Sequence, residues 1–383
     1  MIYVNIQKEK CCGCTACYSI CPKHAISMVS DEKGFSYPQV DKEKCVDCGL
    51  CDKVCAFSKS NQFSYNETPI AAYAIKHKDE NVRANSRSGG AFVAISEYVI
   101  KHGGCVYGAA FDDEYNVIHK KATTIAELKP LCKSKYVQSD LKSSFCEIKN
   151  QLENGQLVAF SGTACQVAGL NSYLGKEYLN LITIDIVCHG VPSPKIWKEY
   201  LQLVRSHHRG MLQEVQFRDK GDFGWAAHIE SYIFNNKKYY LSGYSKLFCK
   251  DYILRDSCFN CQYTNLRRPA DFTLADFWGI DKVISNFNDN KGVSLLLINS
   301  LKADTIFKGE VKNSVIAEEC TSNFYIQPNL KHPEKKPVDL DEFWDRYKKN
   351  GIKDILKQYS NWNLKDRIKS KIDMYKLILQ KIK

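Results

Sequence analysis

The chain has 383 residues, 44% of them hydrophobic, which suits two or three domains with substantial cores. No apolar run approaches the ~18 residues of a membrane span, and the opening MIYVNIQKEK lacks the apolar centre of a signal peptide, so a cytoplasmic protein is expected. The formal charge is +11, and eighteen cysteines without an export signal argue for metal sites over disulfides.

Cys11, Cys14, Cys17 and Cys21, followed by Pro22, spell CxxCxxCxxxCP; Cys45, Cys48, Cys51 and Cys55 repeat the spacing with Ala56 in place of the proline. This is the bacterial two-cluster ferredoxin pattern, in which the CxxCxxC loop wraps three corners of a 4Fe-4S cubane and the fourth cysteine reaches the other cluster. The spacing assigns Cys11, Cys14, Cys17 and Cys55 to one cluster, and Cys45, Cys48, Cys51 and Cys21 to the second. Zinc sites pair CxxC units and have no use for a third cysteine two residues on. Cys12 breaks the spacing and reads as a bystander. Two oxidised clusters bring about −4 in all, so part of the basic excess offsets cofactor charge; a nucleic-acid partner is not expected, whereas an acidic redox partner protein is welcome.

An α+β ferredoxin-like module thus occupies residues 1–57, and the polar stretch 58–68 (SKSNQFSYNET) reads as a linker. Residues 69–330 alternate β-rich runs with amphipathic stretches, as in a mixed α/β domain. Arg87-Ser88-Gly89-Gly90 leads into a helix predicted over Ala91–His102; a loop of small residues at a helix start is able to lay amides against a pyrophosphate, although most such turns are only turns. Strands are predicted over Cys105–Phe111, Leu157–Ser161 and Leu181–Val187. Helices follow over Ala164–Leu174 and over Pro194–His207, the latter opened by Ser193 as N-cap.

Four cysteines fall where turns expose them: Cys165 in the first turn of a helix, Cys188 at a strand end, and Cys258 and Cys261 as a CxxC. Strand ends meeting helix starts are where open α/β sheets place ligands, so these four suit either a third 4Fe-4S cluster or ordinary burial. Cys105, Cys132, Cys146, Cys249 and Cys320 have no partner at metal spacing and read as structural. His189 reads as a crevice wall, and Asp271 and Asp276 as turn or capping residues. No GxGxxG follows a strand and no GxxxxGK[ST] occurs, which disfavours ordinary dinucleotide and P-loop sites.

A second break at Lys331–Pro337 opens a basic helical tail, 331–383. Within it Leu364, Ile368, Ile372, Tyr375, Leu379 and Ile382 form one apolar stripe, expected to dock on the chain itself, on a second subunit of a homo-oligomer, or peripherally on an anionic membrane surface.

The segments RSGGAF (87–92), SKYVQSDL (134–141), FSGTACQVAGL (160–170), DIVCHGVPSPKIWKEYL (185–201), FRDKGDFGW (217–225), RDSCFNCQYTNLRRPADFTLADFWG (255–279) and KGVSLLLIN (291–299) closely resemble the beta-subunit family of coenzyme F420 hydrogenases and dehydrogenases, in its bacterial form with a fused ferredoxin module. The resemblance implies an FAD-binding α/β domain, with Ser88, Gly89 and Gly90 approaching the flavin and Lys135, Tyr136, Gln138 and Ser139 contributing. It matches Cys165, Cys188, Cys258 and Cys261 to motif cysteines, which favours the third cluster. Ala164 departs from a proline frequent in the family. The implied function is an oxidoreductase passing electrons between a hydride carrier (a coenzyme F420-like deazaflavin, NAD(P)H or an organic substrate) and 4Fe-4S clusters through FAD, with an external ferredoxin or redox protein as partner. The alternative is a non-catalytic electron-relay subunit.

Overall fold

The computed structural model describes residues 8–57, 65–321, 323–360 and 362. The tail stripe from Leu364 onward, and most of the expected linker, lie outside them.

The N-terminal module holds helix α1 (Ala16–Ile20), strands β1 (Ile26–Ser30) and β2 (Ser36–Val40), and helix α2 (Leu50–Lys53). The strands pair antiparallel, Ile26 opposite Val40. The two cysteine loops repeat each other's backbone: Gly13 and Thr15 in the first and Asp47 and Gly49 in the second all have φ between 51° and 70°. Such left-handed turns point successive amides into a concavity, the shape an anionic cluster needs.

The large domain follows with β3 (Ala71–His77), α3 (Glu80–Asn85), α4 (Ala91–Lys101), β4 (Cys105–Phe111), β5 (Val117–Ala122), α5 (Ile125–Leu128), α6 (Ser144–Glu153), β6 (Val158–Thr163), α7 (Ala164–Leu174), β7 (Leu181–Ile186) and α8 (Pro194–His207). Then come β8 (Leu212–Gln216), α9 (Lys220–Phe223), β9 (Glu230–Phe234), β10 (Lys237–Leu241), α10 (Gly243–Cys249), β11 (Phe272–Asp276), β12 (Ser294–Ile298), α11 (Leu301–Gly309), β13 (Val315–Glu319), α12 (Leu340–Asn350) and α13 (Ile352–Tyr359). The predicted elements fall where expected, within a residue or two at each end. The Ser193 side chain accepts from the Ile196 amide at the start of α8, and Thr163 and Gln166 form a reciprocal capping box at the start of α7.

Eight strands make one mixed sheet in the order β13-β3-β12-β11-β7-β6-β4-β5. β4, β6, β7 and β11 run parallel, and β3 shares their direction because both β3 and β11 oppose β12. Alternation along β4 shows the layering: Val106 packs under α4 and α11 with Ala94, Ile95 and Phe307, while Cys105 and Tyr107 face α6 and α7 with Phe145, Phe160 and Leu170. The sheet is therefore covered on both faces, and a ligand reaches it only at the strand ends.

A second core lies beside this sheet. The antiparallel sheet β10-β9-β8 joins α8 and α10 around Trp197, Tyr200, Phe217, Tyr232 and Tyr244. Helices α12 and α13, beyond the break at Lys331–Pro337, bury Leu340, Phe343, Trp344, Ile355 and Leu356 in that same core. The described part of the basic tail is thus packed into the large domain.

Among the described residues, no helix is long and apolar enough to cross a membrane.

Candidate functional site

Two cavities in the module separate the eight spaced cysteines. One is lined by Cys11, Cys14, Cys17 and Cys55, the other by Cys21, Cys45, Cys48 and Cys51, and Cys51 also borders the first. Each cavity thus combines three cysteines of one CxxCxxC loop with the fourth cysteine that follows the other loop. The two sites differ in surroundings: Cys11 is buried and Cys48 is exposed. The first set faces the large domain, and the second faces outward.

The module is seated on the large domain at three places. Helix α1 lies on α7, where Gly169 leaves room for Cys14; a Cβ at that glycine would stand 2.6 Å from the Cys14 Cβ and 2.7 Å from its Sγ. Cys165 is one turn earlier on the same face of α7. The tip of the β1–β2 hairpin meets the start of α8: the Ser193 hydroxyl donates to the Lys33 carbonyl at 2.5 Å, and a Cβ on Gly34 would fall 2.2 Å from the Lys195 Cβ. Lys33 pairs with Asp256 at 2.9 Å. Arg255 donates through Nε to the Cys11 carbonyl at 2.6 Å and through Nη2 to the Ser36 carbonyl at 3.0 Å.

Cys12 is not a bystander. Its buried thiol sits between those of Cys14 and Cys165, and its hydrogen bond, with one from Thr163 at 3.2 Å, brings Cys165 down to about 7. The cysteine that breaks the spacing fills the seam between the first cavity and the large domain. Sequence offers no signal for this, since the contact spans the two domains.

Cys165, Cys188, Cys258 and Cys261 converge at the carboxyl ends of β6 and β7. Burial raises Cys188 well above the ordinary thiol value, and the neighbouring sulfurs of Cys258, Cys165 and Cys261 raise it further. Burial takes Cys258 up to about 12 and Cys261 to about 11, again with Cys165 adding. Such thiols ionise together only around a positive centre. Among the described residues no three cysteine sulfurs lie mutually within 4.8 Å. The Val191 amide donates to the Cys258 sulfur at 3.4 Å, the kind of bond that tunes a metal ligand.

His189, beside Cys188, is held between Asp251 at 2.6 Å and Glu334 at 3.0 Å. Both ring nitrogens are engaged, so it is a wall residue, as expected.

Along the same edge of the sheet, the Ser88-Gly89-Gly90 turn lies against the ends of β3 and β12, three strand spacings or ~14 Å from the end of β7. Here the physical reason for glycine differs from the expected one. The Gly89 amide donates to the Ser294 hydroxyl at 2.9 Å and its carbonyl accepts from the His77 amide at 2.7 Å, while the Ser88 hydroxyl donates to the Val293 carbonyl at 2.7 Å. Gly89 is pressed on the sheet backbone and its amide is already engaged. Gly90, at φ 94°, is the N-cap of α4.

Cations gather beside this turn. Arg87 is largely buried; its Nη2 donates to the Trp225 carbonyl at 2.6 Å, but Nε and Nη1 find no hydrogen-bond partner and the Asp276 carboxylate stands off at 3.8 Å. Burial lowers Arg87 to about 10. Asp276, at the end of β11, accepts from Arg218 at 2.7 Å and from the Trp225 indole at 3.0 Å, and Trp225 stacks on Trp278 at 4.8 Å between ring centroids. Asp276 is thus a fixed anchor for the wall. Asp271 caps locally, accepting from Thr183 and Ser300.

Burial pushes Lys135 down to about 7, and burial with the nearby Arg87 and Arg83 does the same to Lys220. Tyr136 lies next to Arg87, and the Ser139 hydroxyl accepts from Gln166 at 3.0 Å. Gln138, expected on the flavin side, turns the other way: it donates to the Cys12 carbonyl at 3.0 Å and accepts from Arg255 at 2.9 Å.

Lys220 carries a pH signature. Its folded value of about 7 lies below the ordinary 10.5, so between these values the unfolded chain holds a proton that the folded chain has released. The lysine's penalty is complete below pH 7 and fades as pH rises. In urea unfolding at pH 7, 8.5 and 10, the stability of Lys220→Met relative to wild type is expected to fall steadily with pH, whatever constant offset arises from the carbonyls it leaves. A flat difference would contradict the assigned burial.

No curated protein sequence matches the chain significantly. Among solved structures, a chain of the F420-reducing [NiFe] hydrogenase complex from Methanosarcina barkeri, studied as a xenon derivative, aligns at 14% identity with a TM-score of 0.47, covering 80% of this chain and 97% of that one. Two family models match: a 4Fe-4S dicluster domain over residues 10–59, which contains all eight spaced cysteines, and the C terminus of the coenzyme F420 hydrogenase/dehydrogenase beta subunit, over residues 155–323. The second span contains Cys165, Cys188, Cys258 and Cys261, and with the cluster-binding domain ahead of it the two matches support a place for this chain in the coenzyme F420 hydrogenase/dehydrogenase beta-subunit family.

Proposed function

We propose that the chain is an iron-sulfur flavoprotein oxidoreductase moving electrons between a hydride carrier and 4Fe-4S clusters, with FAD as the converter. The observation that carries this reading is the convergence of Cys165, Cys188, Cys258 and Cys261 at the carboxyl ends of β6 and β7, against the module's first cysteine set. FAD supplies the exchange between a hydride's electron pair and the single electrons that clusters carry.

The residues divide the work. Cys45, Cys48, Cys51 and Cys21 hold an outer cluster where an external ferredoxin or a redox partner protein reaches it, since Cys48 is exposed. Cys11, Cys14, Cys17 and Cys55 hold a second cluster against α7, and the four domain cysteines hold a third. Arg87 and the start of α4 bind the flavin's diphosphate, since Nε and Nη1 of Arg87 have no hydrogen-bond partner and its ion pair with Asp276 is long, at 3.8 Å, while Lys220, whose Nζ donates to the Arg83, Ser88 and Lys291 carbonyls, adds positive charge nearby. Ser88 and Gly90 shape that end of the site, and Lys135, Tyr136 and Ser139 contribute to it. The hydride carrier is a coenzyme F420-like deazaflavin, NAD(P)H or an organic substrate.

Protein produced anaerobically with riboflavin is expected to contain about one FAD and ~12 iron atoms per chain. Arg87→Met should reduce FAD retention at least tenfold while leaving iron and the circular dichroism spectrum unchanged. Wild-type protein with full iron and no flavin would instead identify a non-catalytic electron relay.

A further inference from the structure

Arg255 has 0% of its surface exposed. Its backbone belongs to the CxxC turn of the large domain: its amide donates to the Val191 carbonyl at 3.0 Å and its carbonyl accepts from the Cys258 amide at 2.9 Å. Its guanidinium belongs to the module. Besides the bonds to the Cys11 and Ser36 carbonyls, Nη2 reaches the Cys11 sulfur at 3.7 Å, and the group lies 4.2 Å from the Tyr37 ring centroid. Nη1 holds Gln138, which in turn holds the Cys12 carbonyl.

Among the described residues no carboxylate lies within ion-pair distance of this guanidinium; the neighbouring Asp256 is paired with Lys33. A buried cation without an anion is strongly unfavourable. The negative charge nearest to it is that of the thiolates around the first module cavity, Cys11 being the one it hydrogen-bonds, with Cys165 and Cys258 of the large domain also in its field; it makes no hydrogen bond to Cys21, Cys45, Cys48 or Cys51.

We infer that Arg255 is the internal counter-ion of the cluster held by Cys11, Cys14, Cys17 and Cys55, and that its bond to the Cys11 sulfur sets this cluster at a higher potential than the outer one. The inference rests on the ferredoxin part of the proposed function only. Reduction adds negative charge to a cluster, and a fixed cation with a donor on a ligand sulfur favours the reduced form. The same side chain ties the cluster to the turn that carries Cys258 and Cys261, making Arg255 a positioning residue between two redox sites.

The test is a redox titration of the reconstituted full chain followed by electron paramagnetic resonance, with wild type, Arg255→Gln and Arg255→Lys. The inner module cluster is identified as the ferredoxin signal that survives in a Cys48→Ala background. In Arg255→Gln its reduction equilibrium should fall about tenfold, a shift of ~59 mV to lower potential for one electron, with the outer cluster unmoved. Arg255→Lys, which keeps the charge and loses the fork, should lie between. Selective loss of this cluster's iron from otherwise folded protein also supports the counter-ion role. Unchanged potentials at full iron, an equal shift of every cluster, or general loss of iron and fold would overturn it. Absence of flavin or of a third cluster from wild-type protein would sink the proposed reaction and leave this comparison readable.

Discussion

Replacing Cys14 and Cys48 together by alanine is expected to take the iron content from ~12 to ~4 atoms per chain, because each substitution opens one corner of a different module cluster. The cavities support this partition, since Cys14 lines one and Cys48 the other. The single variants should each lose about four atoms. The double variant should also become sensitive to protease in the first 57 residues, because the module's described secondary structure amounts to two short α-helices, a 3-10 turn and one hairpin, so that crossed ligation supplies much of the restraint on its cysteine loops. Iron analysis with limited proteolysis reads both effects. Iron that is unchanged in the double variant would remove the ferredoxin assignment altogether.

The second large effect is expected at Gly89. A Cβ there would lie 1.9 Å from the Ile75 carbonyl oxygen and 2.6 Å from the Ser294 amide nitrogen, both backbone atoms of the central sheet. Neither is able to yield as a flexible side chain does, so Gly89→Ala should destabilise the large domain by ~3 kcal/mol or more, at the upper end of overpacking. Gly309→Ala, at the end of α11 with nothing within 4 Å of the added carbon, is the control and should change stability by no more than ~0.5 kcal/mol. The comparison matters for cofactor tests. A charged residue at Gly89 would deform the sheet, so any loss of the proposed flavin from such a variant would not report on an anion site, and the guanidinium of Arg87 is the cleaner probe.

What the sequence discloses follows from where the constraints lie. Cysteine spacing is legible because a cubane's corners fix the number of residues between ligands, and helix starts such as Ser193-Pro194 are legible because caps act within four residues. The antiparallel sheet β8–β10 had a readable sign that the spacing argument passed over: Asn235 and Asn236, at φ 45° and 61°, form the two-residue left-handed turn that joins β9 to β10. Arg255 and Gln138 carry no such sign. The partner of Arg255 at Cys11 is 244 residues distant, and Gln138 meets Cys12 across 126 residues. Nothing in a local pattern distinguishes an arginine that crosses a domain boundary from one that lies on a surface. The charge cluster of Arg87, Lys220 and Asp276 carries no local sign for the same reason, because these residues meet only through the order of the sheet.

The hairpin tip pressed against α8 has a consequence for how electrons cross the molecule. With Gly34 lying so close to Lys195 that no side chain fits between them, and with Lys33 fastened to both Ser193 and Asp256, the module has no freedom to swing. Carriers that shuttle on a tether trade long-range reach for a waiting time set by diffusion of the tethered arm. Here the separation between the module's cysteine sets and the cysteines of the large domain is a property of the folded core itself, so on the proposed function electron passage would be governed by distance and driving force and not by domain motion.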